Sequence, residues 1–143
     1  MSHTFTNLLT HIVFSTRERR PTMSAPLRSR LFPYMGGIVR DLKSKALIDH
    51  VHLVISLSPT IAISDFMSKL KGNSSKWVNE NQAETFAWQT GYAAFSVSQS
   101  NMEAVEKYIA KQEEHHRKLS FKEEFLALLE RHGLDHKSPY VFD

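Results

Sequence analysis

The chain has 143 residues, of which 41% are hydrophobic and 23% are charged, and these proportions are typical of one soluble globular domain. It contains no cysteine, which excludes disulfides, a thiolate nucleophile and a cysteine-based zinc site. No apolar run approaches the roughly 20 residues that span a bilayer, and the N-terminus does not resemble a signal peptide. We therefore expect a cytoplasmic protein with no membrane partner.

The net charge of +3 is unevenly distributed along the chain. Residues 1–80 hold 11 Lys and Arg against 5 Asp and Glu, whereas residues 81–143 hold 7 against 10. A basic half suggests a polyanion such as nucleic acid as the partner of one face. The alternative is an ordinary solvated surface, and charge alone does not decide between them.

The first half of the chain predicts strands alternating with helices. Residues 5–15 are apolar and rich in Thr, Ile, Val and Phe, which favours a strand. Apolar residues then recur at helical spacing from Leu27 to Leu42, with Pro26 suited to a first turn. Residues 46–57 predict another strand, and Ser64 starts a second helix.

The second half predicts two short strands, at residues 86–88 and 92–97, and then two helices. Each helix opens with an S-x-x-E capping box, at Ser100 and at Ser120. The first is expected to run to about Lys118 and the second to stop at Gly133. Phe121, Phe125, Leu128 and Leu129 suggest that the last helix serves packing rather than chemistry.

This order predicts an α/β (α+β sandwich) fold, with a ferredoxin-like antiparallel sheet and helices packed on it. We expect one domain over residues 1–143. The helix and tail at 120–143 should pack on this domain, with residues 138–143 extended.

Two histidines form the first candidate site. Residues i and i+2 of a strand project from the same face, so a continuous strand through Asp49-His50-Val51-His52-Leu53 would point His50 and His52 together. Paired imidazoles provide half of a site for a divalent metal. The alternative is chance, because the chain contains 8 histidines.

A tyrosine and a glutamine form the second candidate site. Tyr108 and Gln112 are four residues apart, and on a helix they share one face. A phenolic oxygen is a competent nucleophile near a cation, and an amide oxygen is a possible metal ligand. Packing for Tyr108 and solvation for Gln112 are the alternatives.

Taken together, the Asp49–Leu53 motif and the later Tyr108-Ile109-Ala110-Lys111-Gln112 motif resemble the single-tyrosine HUH transposases. These enzymes move the smallest bacterial insertion sequences and include the REP-associated transposases. The resemblance extends over nearly the whole chain, through residues 11–16, 19–21, 70–77, 88–92, 95–98 and 112–118.

The resemblance implies a transposase acting on single-stranded DNA with hairpins, as a homodimer. His50, His52 and Gln112 would hold Mg²⁺ or Mn²⁺, and Tyr108 would form a 5′-phosphotyrosine link. The ligand chemistry alone favours manganese, because imidazole suits it better than magnesium. No nucleotide cofactor is expected, and the chain contains no phosphate-binding G-x-x-x-x-G-K-[ST] motif.

One departure from the family pattern leaves alternatives open. The segment between Leu42 and Asp49 is several residues shorter than in the family, where a strand and a tight turn precede the histidine motif. One alternative is a catalytically impaired or domesticated protein that binds DNA hairpins without cutting. Another is an unrelated metal hydrolase that uses His50 and His52 with Glu113 or His116.

Basic and aromatic residues supply candidates for DNA contact. Lys and Arg neutralise phosphates, and aromatic rings stack on unpaired bases. Trp77 and Trp88 are expected to serve core packing instead. The candidates are Arg17, Arg19, Arg20, Lys69, Lys71, Lys76 and Tyr92.

Overall fold

The computed structural model describes residues 3–17, 24–49, 52–111, 120–137 and 141. Its strands and helices alternate along most of the chain. The elements are β1 Leu9–Val13, α1 Ala25–Asp41, β2 Lys45–Asp49, β3 His52–Ser56, α2 Ile63–Asn81, β4 Ala93–Ser96, α3 Met102–Ala110 and α4 Phe121–Arg131.

In this described part of the chain, the strands form one antiparallel sheet in the order β2-β3-β1-β4. Helix α1 connects β1 to the parallel strand β2, and β3 lies between them. This order and the β-α-β-β-α-β succession define a ferredoxin-like sheet, as the sequence predicts. The helices α3 and α4 follow this unit.

The two faces of the sheet are buried against different helices, because successive strand residues point to opposite faces. On one face, the side chains of β1 and β3 pack with those of α1 and α2 around Leu31, Met35, Phe66 and Leu70. On the other face, Val13 and Phe95 pack against the apolar side of α4. The second face carries the candidate site.

Local sequence explains where α1 and α4 begin. The Ser24 hydroxyl accepts the Leu27 backbone N–H at the start of α1. The Ser120 hydroxyl accepts the Glu123 backbone N–H at 3.2 Å, which confirms the predicted cap. Gly133 follows α4 with a φ of 70°, a conformation that favours glycine at the end of a helix.

The prediction of a single strand over residues 46–57 is wrong. Two strands occupy this segment, and Asp49 at the end of β2 pairs with His52 at the start of β3. Asp49 is the one turn-favouring residue in the sequence Asp49-His50-Val51-His52, so the local sequence marks the reversal only weakly. Residues 50 and 51 connect the strands and lie outside the described residues.

Two further predictions about the second half are wrong. Trp88 forms an isolated bridge with Thr16 instead of belonging to a strand. Ser100 does not cap α3, because its hydroxyl bonds to that of Ser98 and a short 3₁₀ turn at Gln99–Asn101 precedes the helix. The strand over residues 5–15 is present but shorter, as Leu9–Val13.

Some expectations fall on residues that the structure does not describe. These include the continuation of the tyrosine helix to Lys118, in residues 112–119, and most of the tail at 138–143. Within the described ranges, none of the helices combines the length and apolar character that crossing a membrane requires.

Candidate active site

Two histidines lie side by side on the sheet face that α3 and α4 cover. His52 begins β3 opposite Val13, and His11 on β1 lies opposite Val54, so the two rings are diagonal neighbours. Their atoms His11 Nε2 and His52 Nδ1 are 2.8 Å apart, and the rings stack with centroids 5.1 Å apart. His11 is 4% exposed and His52 is 0% exposed, so water does not compete for this hydrogen bond.

A carboxylate from α4 reaches the far side of the His52 ring. Glu124 is 1% exposed, and its Oε1 lies 2.9 Å from His52 Nε2. Its other oxygen, Oε2, accepts a hydrogen bond from the Tyr108 hydroxyl. The carboxylate therefore joins the histidine pair to the tyrosine.

Tyr108 comes from α3, which packs on β2 and β3. Its half-buried ring meets the His52 ring edge to face, with centroids 5.8 Å apart. Four separate elements, β1, β3, α3 and α4, thus bring His11, His52, Tyr108 and Glu124 into one continuous hydrogen-bonded series. The structure places two of the predicted site residues, His52 and Tyr108, at this position.

The electrostatics of the site keep His11 uncharged. Burial, followed by the neighbouring His52 and His132, lowers the pKa of His11 to about 3, although Glu124 opposes this shift. A neutral ring has one donor and one acceptor nitrogen, so His11 can serve either direction of the bond to His52.

This shift predicts a loss of stability in acid. Between pH 6.5 and about 3 the unfolded chain binds a proton at His11 and the folded chain does not. The free energy of unfolding should then fall with pH by up to about 1.4 kcal/mol per pH unit from this group. Urea denaturation from pH 7 to pH 5 should give a shallower slope for His11→Gln than for the wild type. Equal slopes would contradict the assignment.

A cleft opens beside the tyrosine between α3, α4 and the end of β4. Its volume is about 310 Å³, and Tyr108 and His11 line its inner part. Asn101, Arg131 and His132 line it as well, so donors surround the space. A phosphodiester fits the chemistry of such a cleft, because its anionic oxygens accept from these groups.

Two members of the predicted metal triad, His50 and Gln112, lie outside the residues that the structure describes. Strand β2 is described as far as Asp49, and β3 begins at His52. Helix α3 ends at Ala110, before Gln112. His50 and Gln112, like Glu113 and His116 of the alternative hydrolase, lie outside the described residues. As metal ligands they stay predictions.

The metal-ligating capacity of the described residues rests on one pair. No group of three His, Asp or Glu side chains in the described ranges forms a metal site. The His52 nitrogen and the Glu124 oxygen do converge, and imidazole with carboxylate is a donor set that suits Mn²⁺. These residues therefore fit a divalent metal as part of a larger ligand set.

The predicted DNA contacts lie at several positions. The side chains of Arg17, Lys69 and Lys76 are exposed, and Tyr92 is half-buried against the core of α1 and α2. Arg19 and Arg20 lie outside the described residues. DNA binding by these residues stays a prediction. The expectation of core packing holds best for Trp88, which is 7% exposed and donates to the Ser74 hydroxyl.

Lys71 has a structural contact that the sequence does not reveal. Its ammonium donates to the backbone carbonyls of Gln89, Thr90 and Gly91, at 2.6, 2.9 and 3.0 Å. Three acceptors match the three N–H groups of a lysine, which makes a phosphate contact less favourable than predicted. Burial lowers the pKa of Lys71 to about 8, so the group remains largely charged at neutral pH.

Removing this ammonium should destabilise the fold. We expect Lys71→Met to lower the free energy of unfolding by about 1–2 kcal/mol, because three carbonyls lose a charged donor at a half-buried position. Lys76→Met removes an exposed ammonium from the same helix and should change it by less than about 0.5 kcal/mol. Chemical denaturation of both variants measures the difference, and equal effects would contradict a structural role for Lys71.

Sequence reasoning missed His11 and Glu124 as site residues. The sequence does contain a signal for Glu124, because it occupies the same helix face as Phe121 and Leu128, where an apolar residue is expected. His11 interrupts an apolar strand in a similar way. A polar side chain at a core position indicates a partner, but the sequence does not identify that partner.

The comparison with known proteins establishes the family. The model of the family described as "Transposase IS200 like" matches residues 4–112, which is more than half of the chain. The chain belongs to this family. The resemblance predicted from the sequence is therefore confirmed.

Individual relatives agree with this assignment. The chain is 33% identical over 114 residues to the ISDra2 transposase TnpA of Deinococcus radiodurans, covering 71% of this chain and 81% of that protein. It is 31% identical over 85 residues to the transposase for insertion sequence element IS200 of Salmonella typhimurium, covering 56% of each. The chain thus spans about half the length of the IS200 transposases that it matches.

Solved structures share the fold. A putative transposase from Deinococcus radiodurans R1 superposes with a TM-score of 0.62 at 20% identity, covering 78% of this chain and 95% of that one. A REP-associated tyrosine transposase bound to a REP hairpin gives a TM-score of 0.61 at 12% identity, covering 81% of this chain and 72% of that one. These likenesses show that the chain shares the fold of both proteins.

Proposed function

We propose that this chain cleaves and rejoins single-stranded DNA in a metal-dependent reaction, with Tyr108 as the nucleophile. The observation that carries the proposal is the convergence of Tyr108 and His52 on the Glu124 carboxylate, beside a cleft large enough for a phosphodiester. Membership of the IS200-like transposase family supports the same reaction class.

The proposed step exchanges one phosphoester bond for another. The Tyr108 oxygen forms a bond to phosphorus, and the bond from phosphorus to the 3′ oxygen breaks. The phenol loses a proton and the leaving 3′ oxygen gains one, so no net proton is consumed. A 5′-phosphotyrosine and a free 3′-hydroxyl result, and attack by a 3′-hydroxyl reverses the step without an energy source.

Residues of the chain have distinct tasks in this step. The Glu124 carboxylate accepts from the Tyr108 hydroxyl and so orients its oxygen. Arg131 and Asn101 line the cleft, where they are suited to bind the phosphate. His52, with His50 and Gln112 from outside the described residues, is proposed to hold Mg²⁺ or Mn²⁺. When bound, the ion supplies positive charge to polarise the phosphate.

The proposed substrate is single-stranded DNA that carries a hairpin, in the cytoplasm. A hairpin-bound tyrosine transposase shares the fold, which supports this choice of DNA. The exposed cations Arg17, Lys69 and Lys76 are proposed to contact its backbone. We propose a homodimer as the active form, a state that light scattering at several concentrations tests.

The experiment that tests the function uses labelled single-stranded oligonucleotides with hairpins. The protein is mixed with them in Mn²⁺ or in EDTA, and the products are separated on denaturing gels. We expect a covalent protein–DNA band and a shortened 3′-hydroxyl strand in Mn²⁺ only. Cleavage that persists in EDTA, or cleavage without a covalent band, would contradict the proposal.

A second candidate function is the binding of DNA hairpins without cleavage. The observation that favours it is the short segment between Leu42 and the histidine motif, in which β2 spans only Lys45–Asp49. Under this alternative, native gels show a hairpin complex while denaturing gels show no covalent band with any divalent metal. That pair of results would replace the first proposal.

A further inference from the structure

We propose that Glu124 on α4 is itself a ligand of the divalent metal at His52. This inference rests on the proposed function, since it requires a metal at that histidine. It adds a ligand from an element outside both sequence motifs, and the family match ends at residue 112, before α4 begins. The same carboxylate would link the metal to the nucleophile.

The distance between the two donor atoms suits adjacent ligands of one ion. His52 Nε2 and Glu124 Oε1 are 2.9 Å apart. Two neighbouring ligands of an octahedral ion with bonds of about 2.1 Å are about 3 Å apart. The two atoms are therefore close enough to be neighbouring ligands of one ion once their hydrogen bond opens.

The burial of Glu124 strengthens its attraction for a bound cation, in addition to the donors that already contact the carboxylate. A carboxylate with 1% exposure loses nearly all of its hydration, and this cost is offset only by strong donors or by a positive charge. Its neighbours on α4 include the apolar Phe125 and Leu128, which pack on the sheet. A carboxylate oxygen also matches the preference of Mg²⁺ and Mn²⁺ for oxygen ligands better than an imidazole nitrogen does.

His11 contacts the ring nitrogen of His52 that is remote from Glu124. A metal-binding imidazole needs its lone pair on the nitrogen that faces the ion, and a hydrogen bond to the other nitrogen fixes that tautomer. His11 Nε2 is 2.8 Å from His52 Nδ1 and is able to accept its proton. Without the metal, the hydrogen bond to the Glu124 carboxylate needs a proton on His52 Nε2. Metal binding would require that the ring proton move to Nδ1, which then donates to His11.

The geometry gives the two carboxylate oxygens different roles. Oε1 faces His52 and would bind the metal, while Oε2 accepts from the Tyr108 hydroxyl. Glu124 would thus set the position of Tyr108 relative to the metal. Its role toward Tyr108 is positioning, and its role toward the metal is direct.

Metal binding without DNA tests the inference apart from activity. Isothermal titration with MnCl₂ compares the wild type with Glu124→Gln, which keeps size and shape but removes the charge. Glu130→Gln, on the exposed side of the same helix, is the matched control, and His52→Ala reports the metal site itself. Circular dichroism in EDTA establishes that each variant is folded.

The inference predicts that Glu124→Gln and His52→Ala each weaken Mn²⁺ binding about tenfold or more, with Glu130→Gln unchanged. Unchanged or tighter binding by Glu124→Gln, with weakened binding by His52→Ala, would overturn the inference and leave the proposed function standing. No Mn²⁺ binding by the wild type, or binding that His52→Ala leaves intact, would overturn both.

If Glu124→Gln does not fold, a crystal structure of the wild-type protein grown with Mn²⁺ tests whether Glu124 binds the metal. Anomalous scattering locates the ion without any substitution. A manganese ion bonded to His52 Nε2 and to a Glu124 oxygen supports the inference. The inference is overturned if the ion binds His52 while Glu124 is turned away, or if no ion is found at His52.

Discussion

Replacing Tyr108 with phenylalanine is expected to abolish covalent capture of single-stranded DNA. The substitution removes only the hydroxyl that donates a hydrogen bond to Glu124, so the ring contact with His52 should persist. Loss of the attacking atom should lower the rate of adduct formation by about three orders of magnitude or more. Denaturing gels with a labelled hairpin oligonucleotide measure this rate.

A second tyrosine provides the control for this substitution. Tyr34 is 38% exposed and stacks on Trp77, away from the candidate site. Tyr34→Phe should form the adduct at the wild-type rate. Equal rates for the wild type and Tyr108→Phe would show that the nucleophile lies elsewhere in the chain.

Truncation of Glu124 to alanine is expected to be among the most destabilising polar substitutions. The variant leaves His52 Nε2 and the Tyr108 hydroxyl without their carboxylate and opens a cavity beside buried groups. Leaving a buried donor without its acceptor costs about 1–3 kcal/mol, and this variant leaves two donors in that state. Urea denaturation in EDTA, which removes any contribution of metal binding, measures the change.

Glu130→Ala is the matched control for stability. Glu130 lies on the exposed side of α4, so its truncation should change the free energy of unfolding by less than about 0.5 kcal/mol. A loss at Glu124 no larger than this value would contradict the central position that the structure gives the carboxylate.

The fold was predictable from the sequence because its elements carry strong local patterns. The helical spacing of apolar residues from Leu27 to Leu42 corresponds to α1, and the cap at Ser120 marks the start of α4. Alternating strands and helices then leave few arrangements besides a ferredoxin-like sheet. These patterns depend on neighbours in sequence, which is why they can be read without a structure.

The reversal between β2 and β3 was not predictable in the same way. Residues 45–56 contain two short apolar runs, at 46–48 and 53–55, and such a segment fits one long strand as well as a hairpin. Strand β3 pairs with β2 on one side and with β1, which lies far away in sequence, on the other. A strand register of this kind requires the tertiary structure.

The composition of the site shows the same limit. Tyr108 and His52 were found through motifs, whereas Glu124 belongs to a helix whose apolar pattern indicated packing alone. Its role arises from contacts across 72 and 16 residues of sequence, to His52 and to Tyr108. No local pattern encodes separations of that kind.

The most direct test of the proposed reaction is to identify the residue that carries the DNA. The covalent complex formed in Mn²⁺ is digested with protease and nuclease, and the modified peptide is sequenced by mass spectrometry. The account predicts a nucleotide attached through a phosphodiester to Tyr108. A nucleotide on any other residue, or a cleaved strand with no modified peptide, would contradict it.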